Sequence, residues 1–283
     1  MATARNPFGP TAAGSFYPAS RATLDKMVHE FMAGGAQAAK MIPTDQRVLA
    51  IVSPHAGYVY SGQVAGWAFN ALDRANIRTA IVMGPNHRVH ADLACTIEAD
   101  AYRTPLGDVP IATELVQQLL REGSSLLEVR PRVLEPEHSL DVQMPFVKMA
   151  LPDARVVPIV VPYMPREQFR KLAELLFKVV QRDATTVLIA SSDLSHFFGY
   201  ETARQLDDAI MREVERRDVD ALLAQHDERS GPCGVAPIAV ALDTMGHFTG
   251  GKVIRLRYQN SGDTAGDRGR VVGYGAMALT VPR

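Results

Sequence analysis

The sequence predicts a single α/β domain spanning residues 1–283, with a mainly parallel central sheet flanked by helices. Three observations predict it. Apolar, β-branched runs at 48–53, 80–83 and 186–190 read as strands buried on both faces, the signature of parallel sheets. Helix-like and strand-like segments alternate without a linker, as in βαβ units. A length of 283 residues at 47 % hydrophobic content is enough to bury one large core.

The elements follow in chain order. A strand at 48–53 is followed by a helix at 64–72, a strand at 80–83 and another at 94–99. TPLG at 104–107 then makes a turn, because proline fixes its φ and glycine tolerates a positive one. Thr113 opens a helix through residue 122, with Glu114 suited to the helix dipole. Ser139 is the expected N-cap of the next helix. A strand at 155–161 precedes a helix at 166–180, where Phe169, Leu172, Ala173, Leu176 and Val180 recur at helical spacing. After the strand at 186–190 comes a charged helix at 201–217, then one at 238–245. Two closing strands, 253–259 and 271–279, are joined by a Gly- and Asp-rich loop at 261–269.

Composition narrows the function classes. Thirty Lys and Arg balance thirty-one Asp and Glu, with no basic run to track a phosphate backbone, so nucleic acid is not an expected partner. Two cysteines form no disulfide framework, no run approaches a membrane span, and the first ten residues lack the apolar core of a signal peptide. A cytoplasmic protein without a membrane partner is the expectation.

Chemistry concentrates after the strands. Three apolar runs each end in a polar loop carrying a histidine: His55, His87 and His196. The carboxyl ends of parallel strands line the ligand crevice of an open α/β sheet, so these loops should converge at the same end of the sheet on a metal site. For a single histidine, a hydrogen-bonded packing role is the competing reading; two similar loops favour a site. His138 would sit at a helix N-terminus, where the dipole favours the neutral ring, able to act as a base or simply to bond the preceding loop. In SSDLSH at 191–196, Asp193 and His196 are close enough for the carboxylate to orient the imidazole, although such turns also serve only to satisfy backbone groups. Cys233, just before a helix, reads as a soft ligand or nucleophile with a lowered pKa, or as a buried small hydrophobe. Cys95 reads as core. His29, His90, His226 and His247 read as surface or packing residues, and Met144 and Met149 as packing.

PHAGYVYSG at 54–62, GPNH at 84–87, TPLG at 104–107, EHSLDVQMPF at 137–146, SSDLSH at 191–196 and PCGVAPI at 232–238 together resemble the Memo-like proteins, whose bacterial members are called AmmeMemoRadiSam system protein B. AGSFYPAS at 13–20 and RYQNSGD at 257–263 extend the resemblance over almost the whole chain. It implies a fold similar to the class III extradiol dioxygenases, non-haem iron enzymes that open catechol rings. It implies a metal held by His55, His87 and Cys233, with His138, Asp193 and His196 lining the same cleft as catalytic groups. Asn86 and Val235 depart from the family's usual serine and arginine; the second change removes an anion contact. Iron(II) is the first expectation for the metal, with copper or zinc as alternatives, because Cys233 stands where oxygenases of this type place a carboxylate.

Two functions follow from the resemblance. One is a non-haem-iron oxidoreductase acting on a small phenolic or related molecule, with His138 and His196 moving substrate protons. The other is a non-catalytic metal- or peptide-binding protein that keeps the cleft. The family also implies radical-SAM and Amme-type partner proteins.

Overall fold

In the computed structural model, described over residues 7–9, 11–224 and 229–283, the chain starts with helices α1 (Arg21–Gly34) and α2 (Ala38–Met41). The first six residues, Pro10 and His226 lie outside the described residues, so the readings of the leader and of His226 are not addressed by them. Strand β1 (Gln46–Ser53), helix α3 (Tyr58–Asn70) and strand β2 (Thr79–Gly84) form the first βαβ unit. Short strands β3 (Ala94–Thr96), β4 (Ala101–Tyr102) and β5 (Val109–Pro110), helix α4 (Thr113–Glu122) and strand β6 (Leu127–Val129) follow. Three short helices, α5 (Pro131–Leu134), α6 (His138–Asp141) and α7 (Met144–Ala150), lead to β7 (Arg155–Val160) and α8 (Arg166–Arg182). The last part comprises β8 (Thr186–Ser191), β9 (His196–Phe198), α9 (Tyr200–Arg216), α10 (Val219–Ala224), α11 (Val235–Gly246), β10 (Lys252–Asn260), α12 (Ser261–Ala265) and β11 (Val271–Pro282).

Among the described residues, one sheet runs in the order β10-β11-β1-β8-β2-β7-β3-β6, with β9 attached to β11. Its centre is parallel: β1 with β8, β8 with β2, and β2 with β7. These strands are buried along nearly their whole length, which explains why they read as continuous apolar runs. The flanks are antiparallel, because β11 inserts between β10 and β1 and β3 runs against β7. Helix α3, backed by α1, and helix α11, backed by α8, both pack on β1 and β11. On α8 the buried set Phe169, Leu172, Ala173, Leu176 and Val180 is the stripe expected from its spacing.

Three local expectations are corrected. The helix expected at 64–72 starts earlier: α3 begins at Tyr58, with Gly57 as its N-cap, leaving only residues 54–57 of PHAGYVYSG to turn the chain. Glu137, not Ser139, caps α6, its carboxylate accepting the Ser139 N–H at 2.9 Å. The closing loop holds a helical turn, α12, stabilised by a reciprocal Asn260–Asp263 capping box. No helix among the described residues is long and apolar enough to cross a membrane.

Candidate metal centre

Because β1, β8 and β2 are neighbours and parallel, the loops after them leave the sheet side by side. His55 follows β1, His87 follows β2, Ser191 ends β8, and Asp193 and His196 follow it. The expected convergence is therefore observed. Cys233 joins from the segment before α11, which packs so closely that a Cβ on Gly234 would run into the Ser191 carbonyl. One donor atom from each of His55, His87 and Cys233 lies within 4.8 Å of the others.

The hydrogen bonds fix how each imidazole presents itself. Glu137, fully buried, accepts the His87 backbone N–H at 2.7 Å and lies 2.8 Å from His87 Nδ1. An ionised carboxylate can only accept, so Nδ1 carries the proton and Nε2 keeps its lone pair. Ser191 supplies the same logic for His55. Its hydroxyl donates to the Ser139 carbonyl at 2.7 Å and accepts from Gln143 Nε2 at 2.8 Å, so at 2.9 Å from His55 Nδ1 it must also accept. His55 Nε2 is then the free acceptor, and it faces Cys233 Sγ at 3.1 Å. Tetrahedral bonds of about 2.0–2.1 Å to nitrogen and 2.3 Å to sulfur would put such donors roughly 3.5 Å apart, so the three atoms suit one transition-metal ion.

Electrostatics favour neutral rings and a fixed carboxylate. Burial, with neighbouring His87, His138 and His196, holds His55 well below the usual histidine range. Burial alone would raise Glu137, but the hydrogen bonds from His87 and Ser139 outweigh it and bring its pKa to about 2. Burial lowers His138 to about 4, despite Glu137 beside it, and lowers His196 to about 4. Cys233 does not behave as a helix-activated thiol: burial and the Asp193 carboxylate push it well above the usual value. Metal binding would expel that proton.

The six candidate residues gather at one end of the sheet, yet not in the expected pairs. Asp193 does not orient His196. Its Oδ1 accepts the backbone N–H groups of His55 at 2.8 Å and Ala56 at 3.3 Å, bracing the β1 loop, while His196 Nδ1 has no hydrogen-bond partner among the described residues. Burial raises Asp193 to about 7. His138 stacks on His87, with ring centroids 4.7 Å apart, and on Phe16 at 4.4 Å. Glu137 is taken up by His87 and Ser139 and braces the centre, and with His87 and His138 it also forms a second group of close donor atoms.

Ser191, Gln143 and Phe16 are parts of the site that the spacing of histidines did not reveal. Nothing in a serine at a strand end distinguishes one that seats an imidazole. The EHS triplet at 137–139, in contrast, puts the carboxylate that seats His87 next to His138, and adjacency was the available signal. Cys95 is buried in β3, and His247 stacks on Phe177, as read; His29 and His90 are exposed.

Comparison with known proteins identifies the family and the likeness of fold. The sequence pattern of the family described as Memo-like protein matches residues 9–278. A MEMO1 family protein of Archaeoglobus fulgidus is 35 % identical over 274 residues, covering 96 % of this chain and 99 % of that protein. A MEMO1 family protein of Aeropyrum pernix is 32 % identical, with 95 % and 98 % covered. Among solved structures, an uncharacterized protein, JW3007, from Escherichia coli K12 superposes with a TM-score of 0.52 at 14 % identity. That superposition covers 82 % of this chain and 99 % of that one, a likeness of fold alone.

Proposed function

The chain belongs to the Memo-like family, and from that premise we propose that it binds one transition-metal ion through His55, His87 and Cys233 and uses it as a non-haem-metal oxidoreductase. The observation that carries the metal reading is the locked tautomer pair: Glu137 and Ser191 each hold an Nδ1–H, leaving two Nε2 lone pairs beside one sulfur. Two neutral imidazoles and a thiolate are acceptable to iron(II), copper(I) and zinc, and iron(II) suits the oxidoreductase reading. Iron or copper held there would supply a Lewis-acidic, redox-active centre, and zinc a Lewis-acidic one only.

The surrounding residues would then handle protons. His138 and His196, both neutral near neutral pH, each keep a ring nitrogen able to accept a proton, but with pKa about 4 they are weak bases and serve only a hydroxyl whose acidity the site has raised. Small phenols are the proposed substrate class. Catalysis in this reading needs a general base close to the metal-binding atoms, and His138, stacked on His87, meets that need.

The donor set also supports the second reading, a metal- or peptide-binding protein without oxygenase chemistry. Oxygenases with two histidines and a carboxylate place an acid at the third position, and here Glu137 is committed to orienting His87. One experiment separates the two. Protein purified without oxygen is analysed for metal, loaded with iron, and mixed with catechols and oxygen while oxygen uptake is followed. The enzyme reading expects uptake that His55→Ala abolishes along with the metal, and that His138→Gln or His196→Gln lowers with metal retained. Full metal content without uptake above the metal-free control supports the binding reading; full metal content in His55→Ala and His87→Ala proteins would refute the centre itself.

A further inference from the structure

Two cavities meet at the site. The first, about 440 Å³, is lined by the metal-ligand candidates His87 and Cys233 with Pro85, Asn86, Val161 and Ala236. The second, about 450 Å³, is lined by His138 and Asp193 with the aromatic rings of Phe16, Tyr60 and Tyr274, and by Arg270. His196 and Phe197 line both. Five of the six candidate residues thus line one or both of two spaces, and His55 lines neither.

Phe197 stands at the boundary for a backbone reason. In β9, His196 pairs with Val272 and Phe198 with Val271, so Phe197 is an extra residue, a bulge in the ladder. Its φ is 66°, a region that bulky residues rarely adopt. Such a bulge re-aims a side chain, and a strained residue beside a site points to a role there. The ring is half exposed and lies under the Arg270 guanidinium at 5.1 Å, which fixes it from the side of the second cavity.

We propose that the bulged Phe197 partitions the centre into two compartments: a small exogenous ligand reaches the atoms of His87 and Cys233 through the first cavity, while a phenol-sized molecule occupies the second. The proposal rests on the metal reading above. The second compartment suits an aromatic ring by its aromatic walls, and a phenolic hydroxyl by the polar groups of His138, Asp193, Asp267 and Arg270 that line it. The first is the one lined by the ligand candidates His87 and Cys233, with Val161 and Ala236 adding apolar surface, and so gives a small exogenous ligand access to them.

The test uses the intact chain loaded with cobalt(II), with metal content measured first. Azide is titrated by its effect on visible d–d absorption, and catechol by calorimetry. The wild-type protein should bind azide about equally well with and without saturating catechol. Asn86→Trp and Ala236→Leu, two independent ways of filling the first cavity, should weaken azide by about tenfold or more and leave catechol binding nearly unchanged. Ala265→Trp, at the rim of the second cavity, should do the reverse. Phe197→Gly removes the wall and suits the positive φ, and should make the two probes compete. Mutual exclusion in the wild-type protein, or blocking variants that weaken both probes alike, would overturn the partition. A wild-type chain that takes up no cobalt would instead overturn the metal reading on which the partition rests.

Discussion

At the scale of single residues, the centre depends on which nitrogen of each histidine carries the proton. Glu137 sets this for His87 through one bond of 2.8 Å, and its buried carboxylate is held ionised by that bond and two backbone N–H groups. Glu137→Gln keeps the shape but can present an amide N–H to Nδ1, which would favour the wrong tautomer. Metal affinity should fall about 10- to 100-fold, the usual cost of losing an orienting partner. Competition against a chromophoric chelator measures it, and unchanged affinity would show that Glu137 does not set the tautomer. His55, His87 and His196 were legible from position, because parallel strands deliver their following loops to one place, whereas the Cys233 ligand role came from the family resemblance. The Asp193–His196 pair was misread, because proximity in sequence says nothing about whether a carboxylate turns to a ring or to backbone N–H groups, and here two N–H donors from the β1 loop claim it.

At the scale of elements, two buried aspartates tie distant segments to the centre. Asp141, in α6, accepts the backbone N–H groups of Thr11 and Ala12 and the Tyr17 hydroxyl, drawing residues 11–17 over the site so that Phe16 reaches His138. Asp141→Ala leaves these buried donors unpaired, and should cost about 2–4 kcal/mol in denaturant unfolding while amide exchange quickens in residues 11–17. Exchange confined to global unfolding would argue against this strap. Asp207, in α9, accepts the Ser195 N–H at 2.8 Å and the Tyr258 hydroxyl at 2.7 Å, anchoring the chain just before His196. It approaches so closely because Gly273 has no side chain; a Cβ there would collide with the carboxylate.

Burial raises Asp207 to about 6, above its unfolded value, so the folded chain binds this proton more tightly than the unfolded one. Its contribution to stability is therefore fully present below about pH 4 and is lost as pH rises through about 6. In metal-free protein, Asp207→Asn should gain stability relative to wild type across that interval, by up to about 3 kcal/mol. A constant difference between the two unfolding curves from pH 4 to 7 would show that the carboxylate titrates normally. Tyr258 and Asn260 belong to the RYQNSGD segment; its visible signature marked the family, but only the fold shows that the tyrosine serves Asp207.

At the scale of the molecule, the sheet's parallel centre and its principal helices were legible, since buried strands and amphipathic stripes are written in local periodicity. The antiparallel insertion of β11 beside β1 was not, because strand order depends on contacts between distant segments and leaves no local pattern. Nor was α1 anticipated, though Leu24, Val28 and Met32 form a buried stripe at helical spacing. The consequence for function is that the three proposed ligands come from three separate connections of one sheet, so an ion held by all of them would brace the whole carboxyl-terminal end of that sheet.

The most direct measurement is metal-edge X-ray absorption on anaerobically loaded protein, paired with metal content per chain. The account predicts one ion per chain, with about one sulfur near 2.3 Å and two imidazole nitrogens near 2.0–2.1 Å if zinc is the probe metal, and loss of the sulfur scatterer in Cys233→Ser. A shell of oxygen and nitrogen alone in the wild-type protein, or a spectrum unchanged by Cys233→Ser, would contradict it.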